Sequence, residues 1–425
     1  MNLLVGGGII AGPVRAGFVY SNTALRKEET PNSTRRGKEC LQAIPKFLIA
    51  SPSFHGGRGA LPSAGGHPAD LTFLAGDIRI PLYCFGSQSL LDNSQSEGLL
   101  CITEEEQSIL DSLLLAQWED RMWKGVLRYD VTTSEIKVIC GKRKFLAQLN
   151  ERLGMHFVPK PEEDKICGQG EGGLSVLKLM KHQEELLFCV ASGEMAQPEL
   201  ISAAAIPDGA VLIIINEIPV EYGHVFLVPC GSDGLDQVLD ARSLEMVARF
   251  AVETNNCSFR LFYDSPPAGT SHLYFEACYF PSPLSVELTP VDTFYCDGWR
   301  GMRISAVTDY PIKTLLFEGN QKFKRMLEVL VEICYRLQEK SIPYNLLISD
   351  CGAKIFLFLQ MQNLANSRTI SAWECGGYFL FKSRSEFDQA IEETMLRRLS
   401  AVSLDDEGFQ VVKQLCCSIA DKFAA

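Results

Sequence analysis

The sequence predicts an α+β protein in which antiparallel sheets carry packed helices. In the middle of the chain, strand-like segments lie at Ala210 to Asn216, His224 to Pro229, Phe259 to Tyr263 and His272 to Phe280, with a helical segment at about Ser243 to Glu253. The order strand, strand, helix, strand, strand is typical of an α+β meander and differs from the βαβ order of a doubly wound sheet. A chain of 425 residues with 46 % hydrophobic residues is also long enough to bury a large core.

The composition excludes several classes of protein. Lys and Arg total 40 against 52 Asp and Glu, so the net charge of −12 opposes the counterion release on which nucleic-acid binding depends. The best apolar run, Val211 to Ile215, is far shorter than the roughly 20 residues of a membrane helix. Fifteen cysteines without paired CxxC motifs fit neither a disulfide scaffold nor a zinc module. We therefore expect no nucleic-acid partner, no membrane association, no metal site and a reducing, cytoplasmic environment.

The N-terminal part has a different composition. Residues 1–69 carry eight basic and three acidic side chains, and residues 51–69 are rich in Gly, Pro and Ser. We predict a flexible N-terminal extension over residues 1–76. A plain tail and an organelle transit peptide both fit this composition, so organelle targeting and a nuclear location stay open beside the cytoplasmic one.

The elements on either side of the middle region follow from capping signals and periodicity. Thr103 and Glu106 have capping-box spacing, which predicts a helix over 104–123. The strand-like segments that follow are Val126 to Val131, Ile136 to Ile139 and the run Phe145 to Asn150. The C-terminal part is predicted to contain a helix from Phe323 to about Lys340, strands at Tyr344 to Ser349 and Lys354 to Phe358, and closing helices at about 384–398 and 404–422.

Five strings resemble one enzyme family. They are AQWEDRMWKGVLRYDVT, GKRKFLAQLN, IPVEYGHVFLVP, SHLYFEACYF and IPYNLLISDCGAKIFLF. Together they resemble the GDP-L-galactose phosphorylases of plant ascorbate synthesis and the GDP-D-glucose phosphorylases of animals, in the histidine-triad superfamily close to galactose-1-phosphate uridylyltransferases. The resemblance covers about residues 78–422. It implies a histidine-triad-like nucleotidyltransferase core over 77–290 and a C-terminal α+β part of the same unit over 291–425.

The resemblance implies a double displacement without a cofactor. In such enzymes a histidine attacks the α-phosphorus of a GDP-hexose, hexose 1-phosphate leaves, and inorganic phosphate then accepts the guanylyl group to give GDP. The nucleophile is the second His of a motif His-φ-His-φ-(Gln or His), where φ is apolar. Strand alternation places the three polar side chains on one face.

This chain keeps the spacing of the motif but changes its chemistry. The matching positions are His272, Tyr274 and Glu276, so a phenol with a reference pKa of about 10 replaces the nucleophilic imidazole. A carboxylate at Glu276 would also repel a diphosphate. Asp264 falls where the family has Asn. We therefore predict a catalytically impaired homologue that acts by binding or regulation.

Other family positions are retained. The resemblance associates Lys142, Gln148 and Asn150 with the nucleotide pocket, and Asp264 with the phosphate region. We expect a guanine nucleotide or GDP-hexose as ligand, and a homodimer or a heterodimer with an active relative as assembly. Two alternatives stay open: an active GDP-hexose phosphorylase with a modified site, and another nucleotide-processing activity in which Glu276 is a general base or metal ligand.

Overall fold

The structure is a computed structural model, described here over residues 79–85, 107–152, 185–193, 199–202, 205–230, 239–265, 273–298, 301–319, 323–361 and 370–424. The predicted extension at 1–76, the proposed capping box at Thr103 and Glu106, and His272 lie outside these ranges. None of the described helices combines the length and the apolar composition that crossing a bilayer requires.

The described residues form fifteen strands. In chain order they are β1 Arg79–Phe85, β2 Glu135–Val138, β3 Leu146–Leu149, β4 Leu186–Ser192, β5 Glu199–Ser202, β6 Val211–Ile215, β7 Tyr222–Pro229, β8 Phe259–Asp264, β9 Phe275–Tyr279, β10 Val291–Asp297, β11 Met302–Val307, β12 Thr314–Gly319, β13 Tyr344–Ser349, β14 Lys354–Leu359 and β15 Tyr378–Phe381. The helices are α1 Ile109–Trp123, α2 Ala241–Thr254, α3 Phe323–Glu339, α4 Ala372–Gly376, α5 Arg384–Asp388, α6 Glu392–Ser400 and α7 Asp406–Ala424.

Twelve strands form one mixed sheet, the large sheet, in the order β10-β11-β12-β14-β13-β8-β9-β7-β6-β4-β1-β5. Its neighbouring strands are antiparallel except for the parallel pair β1 and β4. A second sheet, the small sheet, has the order β15-β3-β2, with β15 parallel to β3. The predicted α+β class with antiparallel strands and packed helices is confirmed. The predicted boundary at residue 290 falls between β9 and β10, and the large sheet contains strands from both sides of it.

Each face of the large sheet is covered by a different layer. On one face the core includes side chains from four helices, among them Trp118 of α1, Val247 of α2, Leu330 of α3 and Val412 of α7. On the other face, a second core joins Phe262 of β8 to residues of the small sheet and of α4. Helices and the small sheet therefore enclose the central strands as two outer layers.

Strand alternation assigns the residues of β9 to the two layers. Phe275, Ala277 and Tyr279 belong to the core under the helices, whereas Cys278 belongs to the core under the small sheet. Glu276 lies between Phe275 and Ala277 in the strand, so its side chain is on the opposite face from theirs. The face of β9 that carries Glu276 is therefore the face that meets the small sheet.

Most predicted elements of the central region are confirmed, with small changes at their ends. The segments Ala210 to Asn216 and His224 to Pro229 form an antiparallel pair in which Ile213 lies opposite Leu227. The segments Phe259 to Tyr263 and His272 to Phe280 contribute β8 and β9.

Three predicted elements need correction. The helix predicted from residue 104 begins at Ile109, because Ser108 caps it by accepting a 3.0 Å hydrogen bond from the Asp111 backbone N–H. The strand predicted at Val126 to Val131 is wrong: turns lead into a 3₁₀ helix at Val131–Thr133, for which Asp130 supplies the cap. The closing helix predicted at 384–398 is two helices, α5 and α6.

A buried ion pair connects β8 with the segment after β9. Arg260 is 4 % exposed, and its guanidinium contacts the Glu287 carboxylate at 3.0 Å. The same guanidinium donates to the carbonyls of Ser258 and Phe280. Removing the cation would leave an uncompensated carboxylate and two unsatisfied carbonyls inside the fold.

We expect Arg260→Met to lower the free energy of unfolding by about 3 to 5 kcal/mol, the usual cost of breaking a buried pair from one side. Urea unfolding followed by circular dichroism measures this change. The matched control is Arg303→Met, which breaks the more exposed Arg303–Glu318 pair and should cost less than about 1 kcal/mol. Equal losses in the two variants would contradict a structural role for the Arg260 pair.

Candidate functional site

Three of the predicted site residues, Tyr274, Glu276 and Asp264, lie on or next to the adjacent strands β8 and β9 at the centre of the large sheet. Glu276 of β9 lies opposite Phe226 of β7 on one side and opposite Phe262 of β8 on the other. Continuing the β8–β9 register by two residues places Asp264, at the end of β8, opposite Tyr274, just before β9. The structure therefore brings Tyr274, Glu276 and Asp264 together.

The Glu276 carboxylate is held by a histidine of the neighbouring strand. His224 is 1 % exposed, and its Nε2 lies 3.0 Å from Glu276 Oε2. Its Nδ1 accepts a 2.9 Å hydrogen bond from the Val220 backbone N–H. Because Nδ1 is an acceptor, the proton of the neutral ring is assigned to Nε2, which donates it to Glu276. The ring therefore has a hydrogen-bond partner at each nitrogen.

A tight corner before His224 makes this arrangement possible. Gly223 has φ +69, a conformation that favours glycine. A Cβ at this position would lie 2.5 Å from the Tyr279 ring of β9. The corner therefore lets β7 approach β9 closely enough for His224 to reach Glu276.

Tyr274, which the sequence motif predicts to take the place of the family nucleophile, is a partly exposed phenol. The residue is 42 % exposed, and its ring meets Phe226 edge to face at 5.6 Å. Partial removal from water, followed by the charges of Glu276 and Asp264, raises the pKa of Tyr274 to about 12. Tyr274 is therefore protonated at neutral pH.

Asp264 is bound to the segment that covers the site. Its Oδ1 accepts a 2.7 Å hydrogen bond from the Ala372 backbone N–H at the start of α4. Burial, then the nearby Glu276 carboxylate, raises the pKa of Asp264 to about 8, although the Ala372 hydrogen bond opposes this shift. At pH 7 most Asp264 side chains are therefore neutral, and the negative charge nearest Tyr274 is that of Glu276.

Helix α4 places an aromatic ring over the same residues. Trp373 meets the His224 ring at 6.2 Å and the Phe262 ring at 5.9 Å, both edge to face. The next residue, Glu374, pairs with Arg398 of α6. The sequence motifs did not single out His224 or Trp373 as parts of the site. The two residues are about 150 positions apart in the sequence, so no local pattern connects them.

The residues associated with the nucleotide pocket are found in three different environments. Lys142 is exposed and pairs with Asp309 at 2.9 Å. Gln148 is fully buried and donates to the Val220 carbonyl at 2.7 Å. Its contact with the site is indirect, because it is the Val220 backbone N–H that donates to His224. Asn150 is 5 % exposed and lines a polar cavity of about 180 Å³. Their nucleotide-binding role stays a prediction.

A metal centre would need several His, Cys, Asp or Glu side chains grouped around one point. Within the described ranges, no three His, Cys, Asp or Glu side chains are grouped as a metal centre would require. The polar groups around Tyr274 are engaged instead with protein partners, as His224 and Ala372 show. The arrangement offers hydrogen-bonding and charged groups for a ligand.

Comparisons with known proteins find relatives in sequence and similar solved structures. GDP-L-galactose phosphorylase 1 of Arabidopsis thaliana is 36 % identical over 361 residues, which is 79 % of each chain. GDP-D-glucose phosphorylase 1 of Danio rerio is 21 % identical over 321 residues, 70 % of this chain and 88 % of its own. Among solved structures, yeast Ap4A phosphorylase Apa2 in complex with Ap4A has 15 % identity and a TM-score of 0.48, covering 70 % of this chain and 98 % of that chain.

Two family models match consecutive parts of the sequence. The model described as "GDPGP1-like, N-terminal domain" matches residues 109–278, and "GDPGP1-like, C-terminal domain" matches residues 285–423. These matches confirm the family predicted from the five sequence strings. The chain belongs to the GDPGP1-like family of GDP-hexose phosphorylases.

Proposed function

We propose that this chain is a GDP-hexose phosphorylase homologue that has lost guanylyl transfer and acts by binding, as a regulatory partner in the cytoplasm. The observation that carries the proposal is the protonated phenol of Tyr274 at the place of the family nucleophile. Neutral imidazole offers a lone pair for attack on phosphorus near pH 7. A phenol with a pKa of about 12 is almost entirely protonated at that pH, so almost no phenolate nucleophile is present.

His224 is a poor replacement for the missing nucleophile. It is the one histidine within the described ranges, and its two ring nitrogens are occupied by the Val220 N–H and the Glu276 carboxylate. With 1 % exposure, the ring also has no open path to a phosphorus atom. A nucleophilic role would require breaking the Val220 hydrogen bond and uncovering the ring.

Glu276 adds an electrostatic barrier to phosphate chemistry. Two unit charges 4 Å apart repel by about 4 kcal/mol at an effective dielectric constant of 20. The His224 hydrogen bond fixes the carboxylate on the strand face that carries Tyr274. Asp264 adds to this repulsion mainly above pH 8, where it ionises. A diphosphate should therefore bind weakly at this site, and the site is not suited to guanylyl transfer.

The proposal includes a ligand and an assembly. A guanine nucleotide or GDP-hexose is the proposed ligand, because the chain belongs to a family of GDP-hexose phosphorylases. A homodimer, or a heterodimer with an active relative of the plant ascorbate pathway, is the proposed assembly. The alternative is an active phosphorylase that releases GDP and hexose 1-phosphate through a modified site, and the 36 % identity to the Arabidopsis protein favours it.

The first test is for the covalent intermediate. We expect no acid-labile guanylyl-protein adduct after incubation with GDP-L-galactose labelled in the guanine, because Tyr274 cannot form the phosphoramidate that a histidine forms. Intact-protein mass spectrometry and gel autoradiography at neutral and acidic pH measure the adduct. An adduct on any histidine of the native protein would overturn the proposal.

Binding without chemistry gives a second prediction. GDP should raise the melting temperature of the native protein, because a ligand of the folded state stabilises it by mass action. Glu276→Gln keeps an acceptor for His224 but removes the charge, so the GDP-induced shift should grow at pH 7. Asp264→Asn should enlarge it more at pH 8.5 than at pH 7, since Asp264 ionises with a pKa of about 8.

The control for these variants is Glu386→Gln, which removes an exposed carboxylate on α5. It should leave the GDP-induced shift unchanged. A complete absence of any shift in the native protein and in both site variants would mean that this face of β9 does not bind GDP.

Rescue of catalysis is the third prediction. Tyr274→His alone should remain nearly inactive, because the Glu276 carboxylate still repels the incoming phosphate. Tyr274→His combined with Glu276→Gln should show low but measurable phosphate-dependent release of GDP from GDP-L-galactose, at least about tenfold above the single variant, which corresponds to 1.4 kcal/mol of barrier. Substantial activity in the native protein that survives Tyr274→Phe would instead support the active-enzyme alternative.

A further inference from the structure

Two carboxyl groups join the large sheet to the layer that covers the site. Glu221, in the corner before β7, is 7 % exposed and accepts a hydrogen bond from the Tyr378 hydroxyl of β15. Asp264, at the end of β8, accepts from the Ala372 N–H of α4. Tyr378 is itself 1 % exposed and packs on Phe280 at 4.9 Å. Both contacts are therefore made where water is largely excluded.

The covering layer is coupled to the site through the same corner. Gln148 of the small sheet donates to the Val220 carbonyl, and the Val220 N–H donates to His224. His224 in turn holds Glu276. A displacement of the small sheet would therefore move the backbone that orients His224, and a displacement of α4 would move Trp373 away from the His224 ring.

Among the residues that the structure describes, the surroundings of the two carboxyl groups contain little compensating positive charge. The titratable groups that act on Glu221 or are influenced by it are the Tyr378 hydroxyl and the Cys278 thiol, with the Tyr222 N–H as an additional hydrogen-bond donor. Those that interact electrostatically with Asp264 are Glu276, Glu374, Tyr263, Tyr274 and Cys375. The cations of this region are engaged elsewhere, Arg398 with Glu374 and Arg260 with Glu287.

We propose that the small sheet and α4 form a pH-sensitive cover of the candidate site, whose hold on the large sheet weakens when Glu221 and Asp264 lose their protons. The inference is independent of whether the site binds a nucleotide. Neutral contacts keep the cover attached at all pH values, since Asn345 donates to the Ile370 carbonyl and the Tyr310 hydroxyl donates to the Cys375 carbonyl. The change is therefore a local loosening and not a dissociation.

The direction of the pH effect follows from burial. Loss of water raises the pKa of Glu221 to about 7 and, together with Glu276, that of Asp264 to about 8, against ordinary values near 4. The closed cover therefore favours the protonated carboxyls, whereas the open cover releases their protons more readily. The closed state loses stability as the pH rises from about 4 and reaches a plateau above about 8.

Hydrogen exchange at individual amides measures this loosening directly. After correction for the intrinsic exchange rate, the protection factors of residues 372–381 should fall by about tenfold or more between pH 6 and pH 8. Amides of β13, within the large sheet, serve as the internal reference and should keep their protection. Unchanged protection of 372–381, or an equal loss in β13, would overturn the proposal.

Variants assign the effect to the two carboxyl groups. Glu221→Gln retains an acceptor for Tyr378 but cannot ionise, so it should remove most of the pH dependence at Tyr378–Phe381. Asp264→Asn should do the same at Ala372–Gly376, and the double variant should show nearly constant protection. The exposed Glu386→Gln is the matched control and should behave as the native protein. A native-like pH dependence in the double variant would contradict the assignment.

A further variant keeps the test decisive if Glu221→Gln does not fold. Tyr378→Phe removes a hydrogen bond that stabilises the ionised carboxylate of Glu221. The fall in protection at β15 should then move to higher pH than in the native protein. A shift to lower pH, or none, would show that Glu221 is not the responsible group.

Discussion

The hydrogen bond between His224 and Glu276 connects the fold to the candidate site. It joins β7 to β9 on the face beneath the small sheet, and it depends on the Gly223 corner that brings those strands together. The Val220 N–H fixes the tautomer of the ring from the other side. Because His224 is almost fully buried, neither partner can be lost without leaving a polar group unsatisfied inside the protein.

This constraint leaves room for exchanges of side chain at positions 274 and 276 that keep the framework intact. A Gln at position 276 would offer an oxygen to His224 as Glu276 does, so it would preserve the strand contact and alter only the charge. Tyr274 is partly exposed and packs its edge on Phe226, so a phenol fits there without disturbing the core. Under the proposed loss of guanylyl transfer, both positions therefore lie where an exchange of side chain disturbs the fold little.

Desolvation and hydrogen bonding compete at the acidic groups of this region. Glu221 and Asp264 each accept a hydrogen bond that favours the ionised form, from Tyr378 and from Ala372. Burial outweighs this contribution in both cases, and the pKa values rise into the neutral range. The same region that would hold a ligand thus contains the groups whose protonation decides how firmly its cover is attached.

The family follows from the five strings that resemble known phosphorylases. The α+β class and most elements of the centre follow from the periodic signals that apolar strands and amphipathic helices leave. The sequence by itself placed Tyr274 and Glu276 on one strand face, since that follows from alternation alone. It did not predict β1, β4, β5, β10, β11, β12 or β15, and it took Val126 to Val131 for a strand, because local composition cannot show that Asp130 caps a turn there.

Only the tertiary structure decided which distant residues meet. His224 and Glu276 are joined across strands, Trp373 contacts the His224 ring from a helix about 150 residues away in sequence, and Gln148 reaches Val220 from the small sheet. The raised pKa values of Asp264 and Glu221 also arise only on folding, because they depend on the water that the covering layer removes. Contacts between separate layers and the desolvation they impose are properties of packing, and no local pattern of residues encodes them.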